Sequence, residues 1–123
     1  MQNIVTEIKK LEEKWVAQLD GAISGEATGT LLTDSDRETF VYLIDGGDQY
    51  EYVHFPKETW STLQEAYLQQ EPIYLQMQNN IVELIEWQSQ LEMLLMNIEG
   101  NGNYGTFTEA VEQSFASAIA TFA

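Results

Sequence analysis

The sequence contains no cysteine and a single histidine, His54. Without a thiol there is no disulfide framework, no thiolate zinc site and no cysteine nucleophile, and the absence fits a reducing compartment. Cationic side chains are nearly as scarce. Five Lys and Arg stand against twenty Asp and Glu, for a net charge of −15. All five cations lie at or before Lys57 (Lys9, Lys10, Lys14, Arg37 and Lys57), and from Glu58 onward there are nine Glu and no Lys or Arg. A surface of this sign repels phosphate polyanions and anionic headgroups, so neither nucleic acid nor a membrane is an expected partner. No apolar run approaches the roughly 20 residues that span a bilayer. Glu7, Glu12 and Glu13 interrupt the start, where a secretory signal would be apolar. The expectation is a cytoplasmic, unexported chain.

What is present suffices for a folded core. The 123 residues are the size of one domain, taken as 1–123, and 44% of them are hydrophobic, with three Trp, six Tyr and five Phe. A chain of this length buries about two-thirds of its unfolded surface without metal or cofactor.

Ile4, Ile8, Leu11, Trp15 and Leu19 recur at helical spacing, which predicts a helix over residues 4–19. The alternative is two strands, Ile4–Lys10 and Lys14–Leu19, turning at Glu12-Glu13. Gly21–Thr30, rich in Gly, Ala, Ser and Thr, reads as a loop or an irregular edge. The clearest hairpin is Phe40–Ile44 and Tyr50–Phe55 about Asp45-Gly46-Gly47-Asp48, stopped by Pro56. A helix over about 57–70, ended by Pro72, and a strand Ile73–Met77 follow. Residues 81–86 admit two readings, a helix capped by Asn80 or a strand with the helix starting near Trp87. Thr106 and Glu109 have capping-box spacing ahead of a last amphipathic helix. The fold class is α+β, an antiparallel sheet built around Phe40–Phe55 with the C-terminal helices packed on one face.

Few constellations could carry chemistry. Gly100-Asn101-Gly102-Asn103-Tyr104-Gly105 matches G-x-G-x-x-G, but an amphipathic helical segment precedes it where the dinucleotide fingerprint needs a buried strand, and no nearby cation could face a pyrophosphate. Asp34-Ser35-Asp36-Arg37-Glu38 resembles the start of a calcium loop, yet Thr39 stands where an EF-hand needs glycine. It reads as an Asx turn. His54 has no second His or Cys as a metal partner, and no serine lies in a nucleophile-elbow context. Trp60, Trp87 and the Met93–Met96 run read as core. No catalytic residue, metal ligand or cofactor is assigned.

From Leu31 onward the chain resembles Uncharacterised Protein Family 0738, small acidic proteins of Bacillus-type Gram-positive bacteria. The resemblance rests on Asp34-Ser35-Asp36, Phe40, Tyr42, Tyr52-Val53, Pro56 and Trp60, and most sharply on Asn97–Asn101, Asn103–Gly105 and Ala110–Glu112. It implies a bacterial cytosolic protein, favours strands over a helix at the N-terminus, and brings no activity with it. The functional expectation is a non-catalytic interaction or regulatory module that docks on a basic protein surface, with self-association left open. The rival is an enzyme, or a small-ligand or cation binder, using Asp34 and Asp36 with the Asn97–Gly105 loop. The candidate binding residues are Asp34, Asp36, Asn101, Asn103 and Tyr104.

Overall fold

The computed structural model describes residues 3–102 and 105–122. Strands β1 (Val5–Leu11) and β2 (Lys14–Leu19) form an antiparallel hairpin, so the helical spacing of residues 4–19 does not produce a helix. Leu11 pairs with Lys14, which leaves a two-residue turn, and both turn residues have positive φ, 49° at Glu12 and 69° at Glu13. That is the twist a tight hairpin turn requires, reached here without the glycine or asparagine that usually announces it. β2 then pairs in parallel with β6 (Ile73–Gln76), and β6 pairs with β7 (Ile81–Glu83), giving the sheet order β1-β2-β6-β7.

A second sheet has the order β3-β4-β5, from β3 (Glu26–Asp34), β4 (Thr39–Asp45) and β5 (Tyr50–Phe55). The segment Glu26–Thr30 is therefore strand and not loop. Its small residues conceal a long antiparallel partner to β4, with a register shift between Ala27 and Leu31. The β4–β5 hairpin lies where its sequence places it: Gly46 N–H donates to the Gln49 carbonyl and Gly47 N–H to the Asp45 carboxylate, each at 2.9 Å. The two sheets meet where Ile4 bridges His54 in parallel and the His54 N–H donates to the Asn3 carbonyl at 2.9 Å. In place of the single sheet expected from the hairpin, two antiparallel-dominated sheets share one core.

The helices are α1 (Trp60–Leu68), preceded by a 3₁₀ turn at Lys57–Thr59, then α2 (Trp87–Ile98), α3 (Thr106–Ser114) and α4 (Ala116–Ile119). α1 ends in a Schellman motif: Gln70, at φ 56°, donates to Tyr67, and Glu71 donates to Ala66. β7 followed by a helix starting at Trp87 selects the strand reading of residues 81–86. The capping box at Thr106 does not form. Gly105 is the N-cap, and the Thr106 hydroxyl donates to Glu38 instead, at 3.3 Å.

Phe40, Tyr42, Ile44, Val53 and Phe55 turn inward from the three-stranded sheet. Phe40, Trp60, Phe107 and Phe115 stack against one another, with neighbouring ring centroids 5.3–5.9 Å apart, joining β4 to α1, α3 and the start of α4. Each such ring stabilises the fold by about 1.5–3 kcal/mol through burial. Among the described residues no helix is long and apolar enough to cross a membrane.

Candidate functional site

Side chains alternate across a strand, and paired residues share a face. The partners Leu32↔Val41↔His54, Leu43↔Tyr52 and Asp45↔Tyr50 therefore project from the side of the three-stranded sheet opposite Phe40 and Tyr42. That side is only partly covered: Val41 and His54 are buried and Leu43 is half-buried, but the rest is open. Tyr50 and Tyr52 keep 53% and 52% of their surface exposed and Leu32 keeps 44%. The result is a face with Leu32, Val41, Leu43 and the two tyrosines along it, carrying Asp34 at one end and Asp45 at the other.

At the Asp34 end the face dips into an open hollow of about 590 Å³, lined among others by Leu32, Asp34, Arg37, Tyr52 and His54. The turn beneath it is closed by the Asp34 side chain, with Arg37 N–H donating to Asp34 Oδ1 at 3.1 Å, one residue further on than in the expected Asx turn. Glu38 follows at φ 56° and pairs with Lys57, so the turn is fastened to the chain ahead of α1. The Lys57 contact holds the Glu38 carboxyl below its ordinary pKa. His54 is 8% exposed. Its Nε2 lies 3.4 Å from the Arg37 guanidinium and its Nδ1 2.9 Å from Thr39 Oγ1. Guanidinium only donates, so Nε2 accepts and the imidazole proton sits on Nδ1, donated to Thr39. Burial, and secondarily the charge of Arg37, push the His54 pKa down against the opposing effect of Asp34. A neutral imidazole with both nitrogens engaged supports the sheet and the turn, and it leaves no ring nitrogen free to act as a base.

The residues singled out in the sequence do not form one site among those described. Asp34 lines the hollow, while Asp36 is exposed on the turn outside it. Asn101 lies in the loop after α2, where its N–H donates to the Ile98 carbonyl and its own carbonyl accepts from Thr108. Gly100 N–H donates to Glu112 at 2.9 Å, tying the same loop to α3. Asn103 and Tyr104 lie outside the described residues. The Thr106–Glu38 hydrogen bond brings the end of this loop to the Asp34 turn. No group of three Asp, Glu or His side chains that could hold a metal occurs among the described residues. Met93 and Met96, read as core, are exposed, whereas Leu95 between them is buried.

The exposed tyrosines were readable and were passed over. In Tyr50–Phe55 the period-2 pattern puts Tyr50, Tyr52 and His54 on one face and Val53 and Phe55 on the other, and the inward face needs only the second set.

The family of unknown function UPF0738 matches the chain over residues 3–115. A UPF0738 protein of Lysinibacillus sphaericus strain C3-41 is 41% identical over 93 residues, covering 75% of this chain and 73% of its own. One from Staphylococcus epidermidis strain RP62A is 39% identical over 117 residues, 94% of this chain and 97% of its own. Another, from Bacillus pumilus strain SAFR-032, is 36% identical over 90 residues, 73% of this chain and 74% of its own. No solved structure matches.

Proposed function

This chain belongs to the UPF0738 family, and we propose that it is a non-catalytic cytosolic module that binds another protein through the outer face of its three-stranded sheet. The observation that carries the reading is the exposed set of Leu32, Tyr50 and Tyr52, beside the half-buried Leu43, between Asp34 and Asp45. Tyrosine combines a rigid apolar ring with a hydroxyl and is enriched in the energetic centre of protein interfaces, which carry polar residues at the rim. The occupant proposed is a basic protein surface. With −15 on the chain, a cationic partner is attracted during encounter, whereas nucleic acid and a second copy of this chain are repelled. The engaged His54 nitrogens favour the non-catalytic reading further.

The test places a photo-crosslinking amino acid at position 52 or, as a control, at exposed position 109, and exposes each protein to lysate of a Bacillus-type bacterium. A crosslinked species specific to position 52, diminished at high salt, is the expected result. Replacing Tyr50 and Leu32 with Ala in the position-52 protein lowers its yield about tenfold or more, the loss typical of truncated interface anchors. Equal crosslinking from both positions, or a yield unaffected by the two substitutions, defeats the reading.

A further inference from the structure

His54 sits where three parts of the molecule meet. Its backbone N–H donates to the Asn3 carbonyl and so joins the two sheets. Its Nδ1–H donates to Thr39 Oγ1 at the start of β4, at 2.9 Å. Its Nε2 faces the Arg37 guanidinium in the turn between β3 and β4, at 3.4 Å. The histidine is buried, whereas Arg37 beside it is exposed.

The three contacts respond differently to a proton. The bond to Asn3 involves no ring atom. Nδ1 carries its proton in either state, so the bond to Thr39 survives. Nε2 is the one basic atom of the neutral ring. Once protonated it no longer accepts, and the ring becomes a positive charge beside a guanidinium that never loses its own. At 3.4 Å the Arg37 contact is long for a hydrogen bond. The neutral state therefore gains little from it, and repulsion in the charged state is the larger effect.

The other fastenings of the turn do not involve the imidazole. Asp34 Oδ1 accepts the Arg37 backbone N–H, and Glu38 accepts the Thr106 hydroxyl and pairs with Lys57. Only the Arg37 side chain is pushed, and it has solvent to move into. The groups that face the ring are Asp34 from β3, Arg37 from the turn, the Thr39 hydroxyl from β4 and Tyr52 from its own strand. The segment ahead of β1 adds Ile4 and the Asn3 carbonyl, neither of which titrates. Burial opposes protonation most, the charge of Arg37 adds to it, and Asp34 favours protonation. Arg37 and His54 both line the open hollow of about 590 Å³ at the Asp34 end of the sheet face.

We propose that His54 and Arg37 form a proton-operated latch on this hollow: the neutral ring holds the guanidinium against the sheet, and protonation drives it out, opening the hollow and adding positive charge at that end of the face. The latch is a property of the free chain, and its effect on partner capture rests on the docking reading above. The full chain, labelled with nitrogen-15 and carbon-13, is titrated from neutral pH down to acid unfolding, with near-ultraviolet circular dichroism reporting the fold. The His54 ring is expected to carry its proton on Nδ1 at neutral pH and to titrate below about 6.5 while the chain is still folded. Nuclear Overhauser contacts between the Arg37 side chain and the ring should be present above that midpoint and lost below it. Arg37→Gln removes the repelled charge and should raise the midpoint, and Asp34→Asn should lower it. Crosslinking from position 52 should be several-fold weaker below the midpoint than above it, because a basic partner then meets an added like charge. That difference should vanish in His54→Gln, which takes up no proton. Arg37 contacts that persist below the midpoint, a midpoint unmoved by Arg37→Gln, or a ring that titrates only as the chain unfolds would overturn the latch. An equal loss of crosslinking in His54→Gln would overturn its control of docking. Because the resonances are read on the free chain, a failure of the docking reading leaves that test standing.

Discussion

Single side chains here separate cleanly by whether their polar atoms are met. Trp60 is fully buried and its indole N–H donates to the Phe55 carbonyl. Trp60→Phe leaves that carbonyl without its donor, a cost of about 1–3 kcal/mol beyond the lost packing. Trp87→Phe removes a donor that has no acceptor, so only packing is lost. Urea unfolding should find Trp60→Phe the more destabilising by roughly 1 kcal/mol or more, and equal losses would contradict the assignment. His54 gives a pH-dependent counterpart. Its folded-state pKa is lowered by burial and Arg37, so the unfolded chain binds the proton first as pH falls. The contribution of His54 is complete above about pH 6.5, the ordinary histidine value, and declines on acidification until the folded histidine itself titrates. The stability gap between wild type and a His54→Gln variant should therefore narrow as pH falls from about 7.5 to 5.5. A gap that widens over that range would reverse the sign. At this scale the sequence was partly legible. A turn closed by the Asp34 side chain was legible from that residue, though its bond reaches Arg37 and so passes the Asx-turn position by one, while the engagement of His54 by Arg37 and Thr39 depends on strand pairing.

Among the elements, those that announce themselves locally were legible, and those that depend on distant partners were left open between two readings or missed. The β4–β5 hairpin carries β-branched and aromatic strands about a Gly-Gly turn, and it forms there. The β1–β2 hairpin turns on Glu12-Glu13, two residues that ordinarily avoid positive φ, and its apolar spacing imitates a helix. What decides it is the parallel pairing of Trp15, Val16 and Ala17 with Ile73, Tyr74 and Leu75, nearly sixty residues away, which no local pattern contains. β3 was hidden by its small residues. Its entry depends on Gly25, at φ 144°, where a Cβ would run into the Asp45 carbonyl oxygen and the Ile44 side chain. Gly47, at φ 98°, has open space around the same position. Gly25→Ala is therefore expected to lower stability by more than Gly47→Ala, since both incur strain of about 1–3 kcal/mol and only the first also collides with backbone. Thermal melts of the two variants decide the order. If Gly47→Ala proved the worse, the close approach of β3 to β4 at Gly25 would not be what fixes that entry.

For the molecule as a whole, charge sets the behaviour. Twenty carboxylates against five cations leave −15 on 123 residues, and the cations are already placed. Lys9 pairs with Glu7, Lys10 with Glu71, and Lys57 with Glu38, while Lys14 lies over the Tyr74 ring and Arg37 against His54. The three ion pairs are exposed or partly so, and such pairs contribute about 0–1 kcal/mol each. The remaining carboxylates repel one another, and the stretch beyond Lys57 has no internal cation to relieve them. Salt acts on both sets, weakening attraction in the pairs and repulsion among the rest. The Debye length falls from about 30 Å at 0.01 M to about 8 Å at 0.15 M, so the repulsion, spread over many longer separations, is screened first. The melting temperature is therefore expected to rise as sodium chloride increases to near-physiological strength. A gain on the order of 1 kcal/mol corresponds to several degrees for a domain of this size. The rise should then level off, because screening saturates once the Debye length is shorter than the spacing between carboxylates. Neutralising Glu83, Glu86 and Glu92 to Gln should raise the melting temperature at low salt and reduce its salt dependence, since these three carboxylates line one surface groove between α1 and α2 and among the described residues none pairs with a cation. A melting temperature that falls with sodium chloride from the outset would mean that the few ion pairs outweigh the unpaired carboxylates, and the acidic half would then not be a source of repulsion for a cationic partner to relieve.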